Sequence, residues 1–231
     1  MAETLQDTVA KLASLDREVM AIAWLSLRVS LSAVLFGSCL GIPLGALVAV
    51  AAFRGRQTLV GLLNALMGLP PVIVGLVLYL LLSRSGPLGP VGLLFTPEAM
   101  IAAQTVLVTP LVAALSRQIL ADAEAHLGEQ LRSLRLGPVR RAAALVYDAR
   151  FSLLTVVLAA FGRAISEVGA VLVVGGNIAG QTRTMTTAIS LETQKGDLPL
   201  ALALGAVLIG LVLAVNAAAA LLRAYAARAY G

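Results

Sequence analysis

Apolar residues in this chain fall in long, nearly unbroken runs rather than in the spaced clusters of a soluble helix or strand. Five runs stand out, at residues 19–52, 58–83, 98–120, 151–174 and 198–222. Each reaches the roughly 20 residues that a helix needs to cross about 30 Å of hydrocarbon. The pattern predicts an all-α protein, a polytopic membrane helical bundle of about five transmembrane helices. The first run is long enough to tilt or to extend past the bilayer. Ahead of it, Leu5, Val9, Leu12 and Leu15 form a helical stripe whose interleaved charges suit a short surface helix rather than a sixth crossing. Residues 91–95 and 170–175 are apolar too, but nearby glycines and prolines make them loop or re-entrant segments. No internal repeat or low-complexity linker divides the chain.

One polar, arginine-rich stretch, residues 121–150, interrupts this pattern. It predicts a helix over 120–136, with Leu120, Leu127, Leu131 and Leu134 near one face. Gly137 is placed to end it in the left-handed conformation. Pro138 then suits the first turn of a second helix, over 139–149. That helix carries Arg140 and Arg141 near its start and Ala142, Ala143, Leu145 and Val146 on an apolar side. Such a helix either seats in a groove on a partner or lies on anionic lipid, and the two are not exclusive. Prolines also mark three of the spans: Pro43 in the first, Pro70 and Pro71 in the second, Pro110 in the third. Each removes a backbone donor and frees a carbonyl a turn earlier, which predicts kinked helices of the kind a moving bundle uses.

Composition agrees with a lipid environment. Of 231 residues, 59% are hydrophobic and 13% charged, with net charge +5, and the mean hydropathy is +0.94. The basic excess is not interleaved with aromatics, which argues against nucleic acid. It belongs instead to the loops on one side of the membrane. If 121–150 is cytoplasmic, counting through the spans puts Arg54, Arg56, Arg223 and Arg228 on the same side. With Arg117, Arg132, Arg135, Arg140, Arg141 and Arg150, ten of the seventeen basic residues lie there. The other side keeps Lys11, Arg17, Arg84, Arg183 and Lys195, so the chain reads as N-terminus out and C-terminus in. The expected layout is an extracytoplasmic segment at 1–18, a transmembrane domain at 19–222 containing the 121–150 loop, and a cytoplasmic tail at 223–231. No cleavable leader is evident, since residues 1–18 mix both signs of charge. A single cysteine, Cys39, offers no internal disulfide, and no metal site is expected. His126 reads as a solvated loop residue.

Several residues are candidates for mechanism. Arg163 and Glu167 are four apart, hence on one face of a continuous helix, either as a structural ion pair or lining a pathway. Arg28, among Ser26, Ser30 and Ser32, is a second charge at membrane depth with no evident partner. Asn216 reads as an interhelical hydrogen-bonding residue. The stretch from Gly175 to Thr187 is rich in glycine and hydroxyls, and Asn177, Arg183 and Thr184 there suit weak guidance of an oxyanion or, more simply, a turn capping the next helix. No phosphate-binding loop, H-E-x-x-H or G-x-S-x-G is present. The chain has no recognisable means of hydrolysing ATP, so any driving energy comes from another polypeptide. The alternative is an uncoupled channel or secondary carrier, for which Glu167 is the one good coupling carboxylate in the spans.

The motifs Gly68-Leu-Pro-Pro-Val72, Ser83-Arg-Ser-Gly-Pro-Leu-Gly89, Gly162-Arg-Ala-Ile-Ser-Glu-Val-Gly169, Val174-Gly-Gly-Asn177 and Thr182-Arg-Thr-Met-Thr-Thr187 resemble those of permease subunits of prokaryotic ABC importers for oxyanions, the tungstate importers in particular. The resemblance runs from about Ser26 to Asn216. It implies a type I importer fold, a homodimer in the cytoplasmic (inner) membrane, two cytoplasmic ATPase subunits and an extracytoplasmic binding protein delivering tungstate, with molybdate close behind. ATP and Mg²⁺ would belong to the ATPase and no cofactor to this chain. Family permeases carry E-A-A-x-x-x-G in the cytoplasmic loop, and aligning its glycine with Gly137 places Leu131, Arg132 and Ser133 at the E-A-A positions. The resemblance thus implies a coupling region comprising Leu131, Arg132, Ser133, Gly137, Pro138, Arg140 and Arg141. It departs from the family in those three residues.

Overall fold

The computed structural model describes residues 17–230, and within them the chain is helical with no strands. The segment 1–16, with the Leu5–Val9–Leu12–Leu15 stripe, lies outside the described residues. The helices are α1 (Arg17–Val50), α2 (Arg56–Met67), α3 (Pro71–Leu82), α4 (Pro97–Ser133), α5 (Pro138–Asp148), α6 (Arg150–Ile165), α7 (Gly169–Gly175), α8 (Met185–Lys195) and α9 (Leu198–Tyr230). A short 3₁₀ turn at Gly89–Val91 precedes α4. Three helices, α1, α4 and α9, are long and apolar enough to cross a membrane, and up to five spans result if each of two sharply bent pairs counts as one. Large apolar side chains point outward along them, such as Trp24, Leu35 and Leu40 on α1 and Ile209 and Leu213 on α9. Hydrocarbon, not water, is the solvent that such a surface fits.

The second expected span is not one kinked helix. α2 ends at Met67, Pro70 takes an extended backbone, and α3 starts with Pro71 in its first turn. The two axes differ by 95°. A residue preceding proline is pushed out of the helical region, so Pro70 before Pro71 breaks the helix outright. Pro43 and Pro110, by contrast, sit inside uninterrupted helices. Beside Pro110 the Thr109 hydroxyl donates to the Thr105 carbonyl at 2.7 Å, an i−4 back-bond within the helix.

The chain packs as two compact units, and α1, α4, α6 and α9 contribute to both. In the unit formed by Val34–Leu69, Thr105–Phe161 and the chain from Asn216 on, α1 meets α4 through a glycine stripe. A methyl group on Gly37, Gly41 or Gly45 would fall 2.7, 2.9 or 2.5 Å from Val108, Thr109 or Ala113. Glycine at a spacing of four lets the two backbones approach this closely. Arginines close the C-terminal end of α1. Arg56 donates to the Val48 and Ala49 carbonyls at 2.7 and 3.1 Å, serving acceptors that a helix end leaves open.

The other unit comprises the described chain up to Ala33, Pro70–Gln104 and Gly162–Val215. There the expected 151–174 span is divided: α6 ends at Ile165, and α7 begins at Gly169. α7 is a real, buried helix packed on α3, where Gly75 meets the Ala170 backbone and Gly169 meets Val72. Ser26 fastens α8 to α1, accepting from the Met185 amide at 2.8 Å while donating to the Ile22 carbonyl at 2.8 Å.

Candidate functional site

The polar stretch 121–150 forms a handle, built differently from the expected pair of loop helices. Its first half is no separate helix: α4 runs without a break to Ser133, a helix of 37 residues. Gly137 is not its left-handed terminator. Arg135 takes that conformation, with φ 54°. The Arg135 amide donates to the Arg132 carbonyl at 2.8 Å and the Leu136 amide to the Leu131 carbonyl at 3.4 Å, the bond pair of a Schellman terminus. Gly137 precedes Pro138 and is therefore held extended, at φ −66° and ψ 164°, as the N-cap of α5. Pro138 occupies the first turn of α5.

α5 is strongly amphipathic. Ala142 and Leu145 are buried with Ala46, Ala49 and Val50 of α1, Leu120 of α4 and Leu153 of α6. Arg141 is turned inward rather than outward. Its guanidinium lies 2.6 Å from Glu124 Oε1 on α4 and 3.3 Å from the Val50 carbonyl on α1. Both side chains of the Glu124 pair are mostly buried, and Arg132 joins the same oxygen at 3.2 Å. The outer face of α5 carries Val139, Arg140 and Tyr147, all exposed. At the far end α5 turns by 78° into α6. Arg150 holds this corner, donating to the Tyr147 carbonyl at 2.7 Å and lying 4.5 and 4.8 Å from the Tyr147 and Phe151 ring centres.

In the other unit, Arg163 and Glu167 do pair, at 2.6 Å, with Glu167 buried and Arg163 half-exposed. They do not share one continuous helix, because Glu167 lies in the break between α6 and α7. Its second oxygen accepts the Ala170 amide at 3.3 Å, at the start of α7, and its backbone carbonyl accepts the Thr186 hydroxyl at 2.8 Å. The hydroxyl-rich stretch is a turn that caps α8. Thr184 and Thr187 form a capping box, and Thr182 donates to the Gly175 carbonyl while accepting the Ile178 amide. Asn177 has a left-handed backbone, φ 52°, and donates to the Thr187 carbonyl at 3.3 Å. Arg183 is mostly buried, 3.7 Å from both Glu18 and Glu192.

Arg28 is an exposed side chain, not a buried lone charge, and its partner is Glu98 at 3.6 Å. Glu124, which fastens the handle, was invisible in the sequence because it lies 17 positions from Arg141 across a turn. The Gly37–Gly41–Gly45 stripe did carry a signal, small residues at a spacing of four. His126 and Cys39 are exposed. Among the described residues no group of three or more His, Cys, Asp or Glu gathers to hold a metal.

A bundle clothed in apolar side chains, with an amphipathic helix strapped across the end of two long spans, is the architecture of a membrane transport component. The pattern of the family described as "Binding-protein-dependent transport system inner membrane component" matches residues 41–229. The chain belongs to that family: it is a multi-pass membrane permease of a system that works with a separate binding protein. Over 210 residues it is 43% identical to a probable anion ABC transporter permease protein of Haloferax volcanii, covering 89% of this chain and 90% of the relative. Over 217 residues it is 40% identical to the tungstate uptake system permease protein TupB of Peptoclostridium acidaminophilum, covering 94% and 95%. A TupB of Campylobacter jejuni is 40% identical over 164 residues, covering 71% and 69%.

Proposed function

We propose that this chain is the permease subunit of an ATP-driven importer that carries tungstate across the cytoplasmic membrane. It works as a homodimer, with the N-terminus outside and the C-terminus inside. Two cytoplasmic ATPases supply the energy, with ATP and Mg²⁺ bound in them, and an extracytoplasmic binding protein delivers the oxyanion. The cargo assignment is supported by the tungstate permease of Peptoclostridium acidaminophilum, which matches 94% of this chain. The driven character is supported by one observation: α5 is fixed to α1 and α4 on its inner side and bare on its outer side.

In this reading the exposed Val139, Arg140 and Tyr147 meet the ATPase, together with Gly137, Pro138 and the Leu131–Arg132–Ser133 end of α4. When nucleotide closes the ATPases, α5 is displaced. Arg141 passes the displacement to α4 through Glu124 and to α1 through the Val50 carbonyl. Both are continuous helices, so the displacement reaches the bundle without an intervening loop. The broken α2–α3 and α6–α7 segments supply the joints. This chain does no covalent chemistry.

Gly137→Val tests the coupling. A methyl on Gly137 meets nothing within 4 Å, and its backbone is extended, so the change is tolerated by the fold. Bulk added beside the partner's groove should leave insertion intact while uptake falls well below the rate of ATP hydrolysis. Unchanged coupled transport would remove Gly137 from the ATPase contact.

A further inference from the structure

Among the described residues, the arginine–carboxylate pairs range from tight to loose, with Arg132–Glu124 between at 3.2 Å. Arg141–Glu124 and Arg163–Glu167 close to 2.6 Å, the contact of a fully formed charged hydrogen bond. Arg28–Glu98, Arg183–Glu18 and Arg183–Glu192 stop at 3.6, 3.7 and 3.7 Å, too long to use up a guanidinium's donors. The arginines of the loose pairs line a single open cavity of about 570 Å³, walled by α1, the start of α4 and the turn before α8. Arg17, Arg28 and Arg183 face it, and among the described residues Glu18 is the one carboxylate in its lining. Among the described residues the lining thus holds three cations and one anion, and with Glu98, Glu192 and Lys195 beside it the surplus is one positive charge. Glu98 and Glu192 lean on Arg28 and Arg183 from outside that lining, and Lys195 in turn holds Glu192 at 3.0 Å. Arg183 is mostly buried, and its Nε–H is buried without an acceptor among the described residues.

We infer that this cavity is a low-affinity receiving site for a hydrated tetrahedral dianion, the point at which cargo first meets the permease. The inference rests on the importer reading for the identity of the cargo, but the anion site stands on the arginines. At about 30 Å³ per water, the space admits an oxyanion with much of its hydration shell. Guanidiniums at loose distances attract such an ion without stripping it, and the neighbouring carboxylates keep the hold weak. Weak retention is what a pathway requires, since cargo must leave as readily as it enters. Gln181, exposed on the rim of the same cavity, makes no tight pair and is a neutral reporter position.

The test uses the assembled transporter in lipid nanodiscs, with Cys39→Ser removing the native thiol and Gln181→Cys placing one at the rim. Negatively and positively charged methanethiosulfonates of similar size are compared for their rate of reaction. The anionic reagent should react about tenfold faster, the scale of electrostatic focusing in a charged cleft. Millimolar tungstate or sulfate should slow it, while chloride at equal ionic strength should not. Arg28→Gln, which breaks only an exposed pair, should reduce the preference, and Arg28→Gln with Arg183→Gln should abolish both preference and protection. Equal rates for the two reagents, or protection that survives in the folded double variant, overturn the site. Uptake by the unsubstituted transporter is measured in parallel. Tungstate uptake without protection at the rim removes this site alone. Arginine-dependent protection in a transporter that carries no oxyanion supports the site and removes the importer reading.

Discussion

Arg141 and Glu124 are the pair on which the proposed transmission of force through α5 depends. Both side chains are largely buried, and Glu124 receives a second arginine, Arg132, on the same oxygen. Glu124→Gln leaves Arg141 without its countercharge, a loss of about 3 kcal/mol for a buried pair broken on one side. The expected result is a lower Tm and a larger drop in uptake than in ATP hydrolysis. A variant with unchanged Tm and full coupling would show that α5 is held by its apolar face alone. Glu167 is a second decisive residue, since its carboxylate serves Arg163 and the Ala170 amide together. Glu167→Gln keeps an oxygen for the amide and loses the charge, whereas Glu167→Ala loses both. The alanine variant should be the less stable, by about 1–3 kcal/mol for a donor left unserved, and uptake should fall in both. Equal stability and uptake in all three proteins would make the pair dispensable. The Arg163–Glu167 pair could be read from a spacing of four. Glu124–Arg141 could not, because the turn joining their helices hides which residues face one another. Arg135 also escaped sequence reading: Gly137 looked the better left-handed residue until Pro138 after it is taken into account.

At the level of elements, the long apolar runs were legible and their breaks were not. Length and hydropathy locate α1, α4 and α9 because these depend on the chain alone. The Pro70–Pro71 pair divides its run through the local restriction on a residue before proline, whereas Pro43 and Pro110 stay inside helices because the folded bundle serves the freed backbone groups. The α1–α4 contact has a simple steric test. Gly45→Val would place side-chain atoms against the Ala113 carbonyl and the Arg117 amide, where even one carbon falls at 2.5 and 2.9 Å. Backbone cannot yield as a flexible side chain does, so the helices must separate. The cost should reach at least about 2 kcal/mol, seen as a lower Tm in detergent and less assembled protein in the membrane. Gly61→Val on α2, where the added carbon meets nothing within 4 Å, is the matched control and should behave as wild type. If the two variants are equally stable, the glycine stripe does not set the helix approach.

For the whole molecule, the proposed mechanism has a lipid-embedded bundle moved through α5 by a separate ATPase. Family membership places the chain in a binding-protein-dependent membrane system, and the strapped, outward-bare α5 is the surface on which the proposed motor would act. The apolar runs and the basic loop made that architecture readable from residues alone. The arginine cavity was not, because Arg17, Arg28 and Arg183 come together only when α1 and the turn before α8 are packed. The most direct measurement is tungstate accumulation in proteoliposomes holding the purified permease, with the ATPase, the binding protein and ATP each supplied or withheld. Uptake should require all three and stop when any is missing. Accumulation by the permease alone, with no nucleotide or ATPase present, would contradict the account.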